Sequence, residues 1–295
     1  VDATGLMVRC QRAAQHRALT TAAGVPTGAL LMFITSLARL TRQHDPEWLA
    51  VCWDGPGALE WRRQRYPAYK SGRAPAPVLT PHRETLMDRT VAFCRAAGVP
   101  QFCVDGFEAD DLMAALARRA HPACCLTGRR VIIASDDADM EQLTAFATVR
   151  LAGLSRDGLE DAADVESRTG VPPIMLPKLR ALAGDPSDSI PGLRGTGPVK
   201  AARMLRSAGW MWRDVLNGIT DPQHREMAVL WRDIIDLVIP SRPPEEVTGR
   251  NYFQPDVSCV WAGEPTEHLA GFLREYELTS VLRRVERGGF WRSRS

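Results

Sequence analysis

The sequence predicts an α/β fold, a mostly parallel central sheet flanked by helices and followed by a helical subdomain. Three observations carry that prediction. Short β-rich runs alternate with helix-patterned stretches through the first half, each of those runs ends on an acidic residue, and strand signals fade after about Pro172.

Taken in order, Val1-Asp2 reads as the end of a strand and Thr27 to Leu40 as a helix. Glu47 to Trp53 reads as a short buried strand running into the turn signal Asp54-Gly55-Pro56. Pro100 to Val104 repeats the arrangement at Asp105-Gly106, and Ala109 to Arg119 has a helical pattern. Arg130 to Ser135 is a β-branched strand ending at Asp136-Asp137-Ala138-Asp139. Parallel sheets hold ligands beyond the carboxyl ends of their strands, which is where these acids fall. Gly and Pro punctuate Gly184 to Gly197, Ser241 to Pro244 reads as a connector, and Trp210, Trp212 and Trp231 are assigned to core packing.

Composition narrows the function classes. At 295 residues, 45% hydrophobic and 24% charged, the chain has enough apolar material for a sizeable core, which excludes wholesale disorder. Its apolar runs, such as Ala29 to Ile34, stop short of the roughly 20 residues of a membrane span, so no membrane partner and no secretory leader are expected. Seven cysteines without a Cys-x-x-Cys pair offer neither a zinc site nor a redox motif, and scattered thiols suit a cytoplasmic location. The net charge of +2 announces no nucleic-acid partner by itself, but the charges segregate. Bases crowd into Arg62, Arg63, Arg65, Lys70 and Arg73, and acids into Glu108–Asp111, Asp136–Asp139 and Asp185–Asp188.

Taken singly, each acidic group suits an ordinary role. Glu108, Asp110 and Asp111 precede an apolar run and fit a helix's first turn, and Asp137, Asp139, Asp185 and Asp188 fit turns. Together, carboxylates at three strand ends (Asp2, Asp54, Asp137) and one helix start would project into one crevice. Two carboxylates about 4 Å apart repel by roughly 4 kcal/mol at an effective dielectric near 20, so such a cluster protonates or binds cations. All-oxygen ligands favour Mg²⁺ or Mn²⁺ over zinc, and paired ions of that kind serve in-line displacement at phosphorus.

Two further motifs fit a nucleic acid. Gly192-Leu193-Arg194-Gly195-Thr196-Gly197-Pro198 followed by a helical run with Lys200 and Arg203 is a helix-hairpin-helix signature, whose free amides can hold a phosphate. Trp61 to Arg73 interleaves cations with aromatics, as a strand-holding surface would, with Arg62, Arg63 and Tyr69 as contact residues.

These residues resemble the 5′ nuclease family of bacterial and phage flap endonucleases and the amino-terminal nuclease domain of DNA polymerase I. The matching stretches are Val1-Asp2, Gly24 to Ala29, Tyr66 to Pro75, Gly106 to Asp111, Gly184 to Gly192 and the Gly195-Thr196-Gly197 hairpin, with weaker likeness at Glu264-Pro265 and Leu278 to Arg284. The resemblance implies a PIN-like core over 1–175 with a helical arch at about 56–88, a helix-hairpin-helix subdomain over 176–240 and a segment over 241–295 that packs back. It implies a first metal site of Asp2, Asp54, Glu108 and Asp110 and a second of Asp110, Asp137, Asp139 and Asp188, with Asp111 and Asp185 supporting or binding through water. Asp137 and Asp139 are chosen over Asp136 by register. Lys70 and Arg73 would reach the scissile phosphate from a mobile arch, and the hairpin would grip duplex DNA, with a K⁺ ion there. The implied enzyme is a stand-alone monomer that uses two or more Mg²⁺ or Mn²⁺ ions. It would cut DNA at a 5′ flap or single-strand to duplex junction, leaving a 5′ phosphate and a 3′ hydroxyl, in functional association with a polymerase and a ligase. The competing readings are a non-catalytic junction binder and a metal-dependent ribonuclease of related fold.

Overall fold

A computed structural model describes residues 1–15, 19–72, 81–155, 157–238, 267–288 and 290–291, the side chains of 81–85 excepted. Its elements in chain order are α1 (Ala3–Ala14), α2 (Gly28–His44), β1 (Val51–Cys52), α3 (Glu60–Arg65), α4 (Pro81–Ala96), β2 (Gln101–Phe102), α5 (Ala109–Thr127), β3 (Val131–Ala134), β4 (Val149–Ala152), α6 (Ala162–Thr169), α7 (Leu176–Ala183), α8 (Pro198–Ser207), α9 (Trp212–Asn217), α10 (Pro222–Ile235), α11 (Glu267–Glu275) and α12 (Thr279–Glu286). Short 3-10 helices form at Ala138–Ala145, Pro173–Met175 and Pro186–Asp188.

The chain divides into two interleaved units, one of residues 1–53, 77–103 and 251–295 and the other of 54–76 and 104–250. This partition differs from boundaries at 175 and 240. The reason is α7, which packs against α8 and α10 and also against the 138–145 helix, so residues on both sides of 175 share one unit. The Ser241 to Pro244 connector lies outside the described residues.

In the first unit, α1 buries Ala3, Leu6, Met7 and Cys10, a helical i, i+3, i+4, i+7 face, and packs on α2. The sequence reading had only a strand end there, and a single parallel bridge from Asp2 to Cys52 is what remains of it. β1 and β2 pair in parallel, Val51 opposite Gln101 and Cys52 opposite Phe102. Beneath them Phe33 stacks on Trp53 with ring centroids 6.0 Å apart and meets Phe93 edge-on at 6.5 Å. The Trp53 indole N–H donates to Gln101 Oε1 at 3.0 Å, so the largest buried ring leaves no polar atom unsatisfied.

The second unit carries another parallel pair, β3 with β4, in register from Val131–Val149 to Ala134–Ala152. β4 was not foreseen. The strands are parallel and helices dominate, as an α/β fold requires, but among the described residues the ladders form two two-stranded pairs. A second core gathers Trp61, Val165, Leu176, Leu182, Leu205 and Trp231, with Trp210 and Trp212 partly buried against it, so all three tryptophans pack as expected. No described helix is long and apolar enough to cross a membrane.

Candidate active site

The site is built in the second unit, beginning at the start of α5. Two turns lie side by side there: the Gly55 amide donates to Phe107 O at 2.9 Å and the Gly106 amide to Pro56 O at 2.8 Å. A Cβ at Gly55 would stand 1.9 Å from Val104 O, so only glycine allows this approach. The pairing brings Asp54, at the end of its strand run, to the helix, where its Oδ1 accepts the Ala109 amide at 2.8 Å. Glu108 is the N-cap and forms a capping box with Asp111, and Asp110 lies in the first turn. Free N–H groups and the helix dipole favour negative charge here. The adjoining turns therefore place Asp54, Glu108, Asp110 and Asp111 at the start of α5.

The basic tract behaves differently from expectation. Arg62 is 3% exposed. It donates from both Nη atoms to Asp111 (2.9 and 2.7 Å), from Nη1 to Glu108 Oε2 at 2.9 Å and from Nε to Ile234 O at 2.9 Å. Its neighbour Tyr69 is also buried, with its hydroxyl donating to Glu108 Oε2 at 3.0 Å. Arg62 and Tyr69 are thus internal groups that hold the carboxylates, not a surface for phosphates and bases, because α3 packs its Trp61 and Arg62 inward. Asp111 is likewise engaged by the chain: Arg62 donates to both its oxygens and the Glu108 amide donates to Oδ2 at 3.0 Å. Arg63 stays exposed, its Nε donating to Tyr69 O at 3.2 Å.

Burial alone would raise the Glu108 pKa, but the charges of Lys70 and Arg62 and the hydrogen bonds from Lys70 and Tyr69 outweigh it and hold the group below the usual carboxylate range. For Arg62 burial pulls down, and Asp111, Tyr69 and Glu108 reverse it, so the guanidinium is held well above its ordinary value.

A second carboxylate group forms where β3 ends. Asp137 caps the 138–145 helix by accepting the Asp139 amide at 2.9 Å. Asp136 Oδ1 accepts the Leu154 amide at 2.9 Å. Asp185 and Asp188 come from the loop after α7, closed by the Asp185 and Ile190 amides, each donating to the other's carbonyl at 2.8 Å. Gly184 and Gly192 make that closure possible. Gly192 has φ +68°, and a Cβ there would lie 2.3 Å from the Gly184 amide nitrogen. Oxygens of Asp139, Asp185 and Asp188 all lie within 4.8 Å of one another. Asp188 is 1% exposed. At that spacing each charged pair repels by roughly 3 kcal/mol at an effective dielectric near 20, so the group demands a cation.

Lys70 joins the two groups. Its amide donates to Asp188 O at 3.0 Å, its Nζ is hydrogen-bonded to Glu108 Oε1, and Nζ lies 3.9 Å from Asp188 Oδ1. The residue takes a left-handed φ of +54° in a turn pinned by the Tyr69 and Ser71 amides, and it is buried. Backbone hydrogen bonds thus place Lys70 beside the acids. The neighbouring Gly72 amide donates to Ser189 Oγ at 2.8 Å. Arg73 lies outside the described residues. Asp2 belongs to the first unit, where its carboxylate caps α1 by accepting the Gly5 amide at 2.7 Å.

The hairpin forms as its spacing suggested. α7 and α8 pack together, Gly195 takes φ +71°, Gly197 is the N-cap of α8 and Pro198 opens it. A Cβ at Gly195 or Gly197 would meet nothing within 4 Å. These two glycines therefore leave the amides approachable, while Gly192 is required by packing. Lys200 and Arg203 are exposed on α8, the Lys200 Nζ donating to Gly195 O at 3.3 Å.

Arg180 on α7 was missed by the sequence reading, yet it reaches the second group. Its guanidinium pairs with Asp139 Oδ1 and donates from Nη2 to Ala138 O at 2.8 Å, with Nε 3.9 Å from Asp185 Oδ2. Burial lowers its pKa, and Asp185, Asp137 and Asp188 offset that only in part, so the guanidinium stays below its ordinary value. A lone cation within the apolar run Leu179-Arg180-Ala181-Leu182 was the available signal.

The family model described as the 5′-3′ exonuclease N-terminal resolvase-like domain matches residues 1–170. The thermostable DNA polymerase I of Thermus thermophilus is 37% identical over 194 residues, 65% of this chain and 22% of the relative. The DNA polymerase I of Rhizobium leguminosarum is 32% identical over 307 residues, 97% of this chain and 28% of the relative. The chain thus spans about a quarter of the length of these curated relatives. Among solved structures, the bacteriophage T5 flap endonuclease in a pseudo-enzyme-product complex with DNA and metal ions matches in fold, with TM-score 0.62 and 19% identity over 80% of this chain and 88% of that one.

Proposed function

This chain belongs to the family of 5′-3′ exonuclease N-terminal resolvase-like domains, and on that premise we propose that it is a structure-specific 5′ nuclease hydrolysing DNA phosphodiesters at a 5′ flap or a single-strand to duplex junction, to give a 5′ phosphate and a 3′ hydroxyl. The observation that carries the reading is the approach of Asp139, Asp185 and Asp188 to within 4.8 Å, with the Lys70 ammonium between Asp188 and Glu108.

All-oxygen donors of this charge fit a hard divalent cation, Mg²⁺ or Mn²⁺. Asp139, Asp185 and Asp188 would hold one ion, with Asp137 beside them; the resemblance alone assigns Asp54, Glu108 and Asp110 to another. When bound, such ions supply an activated water and charge stabilisation at the phosphoryl oxygens. The chain's own residues do the rest. Lys70, fixed by its backbone bond to Asp188, presents a cation where charge develops on the phosphoryl group. Arg62 helps hold Glu108 ionised and orients Glu108 and Asp111 without touching the substrate. The amides at Gly195 and Gly197, with Lys200 and Arg203, hold duplex phosphates without reading sequence. K⁺ at this hairpin belongs to the same proposal.

The test is cleavage of an end-labelled 5′-flap duplex with Mg²⁺, Mn²⁺ or chelator, beside a single-stranded RNA of matching length. Metal-dependent cutting at the junction is the expected result. Junction binding without cutting under either metal would instead favour a non-catalytic DNA binder, and faster cutting of the RNA would favour a ribonuclease.

A further inference from the structure

Arg180 occupies a position that no motif assigns. Its guanidinium pairs with Asp139, is tethered to Ala138 O at 2.8 Å, and stands 3.9 Å from Asp185 Oδ2. Nη2 also lies 3.7 Å from Glu141 Oε2, two residues along the same short helix as Asp139. Glu141 is oriented from its other side, where Arg168 Nη1 donates to Oε1 at 2.8 Å while Arg168 Nη2 holds Glu160 at 2.9 Å.

A carboxylate oxygen engaged by a guanidinium cannot give the same lone pair to a divalent ion, and two cations sharing that oxygen would repel. Arginine stays charged at any working pH, so it must make way by moving. Glu141 offers the nearest alternative: its Oε2 is within reach of the guanidinium, and the Ala138 carbonyl can act as the pivot.

We propose that Arg180 is a displaceable counter-cation of the Asp139–Asp185–Asp188 group, neutralising it when no divalent ion is bound and shifting onto Glu141 when one binds, so that the Arg180–Glu141 pair sets the group's affinity for metal. This rests on the reading of the group as a divalent-metal site. Arg180 is thus a positioning residue, and its effect is read in metal binding without any DNA present.

The experiment is Mn²⁺ binding to the full chain, followed by the electron paramagnetic resonance of the free ion, for wild type, Arg180→Gln, Glu141→Gln and the double variant. Arg180→Gln should bind Mn²⁺ at least about tenfold more tightly, since a unit positive charge beside Asp139 is removed. Glu141→Gln should bind more weakly, and that loss should vanish in the double variant. Arg180→Lys should stay near wild type because the charge is kept. Wild-type binding with equal or weaker binding in Arg180→Gln would overturn the proposal. Should that variant not fold, an unchanged affinity in Glu141→Gln would overturn it instead. No Mn²⁺ binding by the wild type would sink the metal reading itself.

Discussion

The two carboxylate groups of the second unit solve the same electrostatic problem in different ways. At the start of α5, Glu108 and Asp111 are buried under Arg62, Tyr69 and Lys70, in a network of direct hydrogen bonds. After β3, Asp139, Asp185 and Asp188 receive the Arg180 guanidinium, which pairs closely with Asp139 and stands 3.9 Å from Asp185, and the shared Lys70 ammonium 3.9 Å from Asp188. The first arrangement is largely neutralised by the chain itself, which stiffens the fold around Glu108. The second leaves charge for something else to neutralise. Acids of the same kind are thus set apart by how directly the chain's own cations engage them.

Removing a cation from the first group should have the largest effect. Arg62→Ala strands two buried carboxylates and should cost about 3–5 kcal/mol of stability, read by chemical denaturation; a loss under 1 kcal/mol would mean that the network is not structural. The pH dependence sharpens the contrast. The folded pKa of Glu108 is depressed, so its contribution is fully present above the unfolded carboxylate value and is lost as pH falls through the folded value. Acid should therefore narrow the stability gap between wild type and Glu108→Gln. A gap that widened in acid would reverse the sign and contradict the assignment.

Lys70→Ala tests the residue that touches both groups. Its charge is wanted at the developing phosphoryl transition state, so the single-turnover rate should fall about 10²–10³-fold with little change in DNA affinity. Equal losses in rate and affinity would make it an anchor. Lys200→Ala, far simpler in its surroundings, should have the smallest effect: modestly weaker binding, a salt slope lower by about one and a nearly unchanged single-turnover rate. An unaltered salt slope would remove α8 from the DNA contact.

Much of this was legible in the residues because local rules govern it. The strand-to-acid junction at Asp137, the helix start at Glu108 and the glycine hairpin each follow from short-range chemistry, and the structure forms all three. What the sequence hid was burial. Arg62 and Tyr69 look like a surface tract because cations beside aromatics usually are one; their inward turn depends on Glu108, Asp111 and Ile234, all distant in sequence. Arg180 escaped for the same reason, its acids lying on other elements. The α1 face at Ala3, Leu6, Met7 and Cys10 was visible in period but overlooked beside the strand reading of Val1-Asp2. Interleaving of the two units could not be read from order along the chain, since it depends on which distant segments pack together.

The most direct test of the central claim, that the sparsely neutralised group bears a divalent ion of a nuclease site, is single-turnover cleavage of a 5′-flap duplex by wild type and Asp139→Asn, each with Mg²⁺ and with chelator. Metal-dependent junction cutting by the wild type, abolished in a folded Asp139→Asn, is the predicted result. Undiminished cutting by that variant would contradict it.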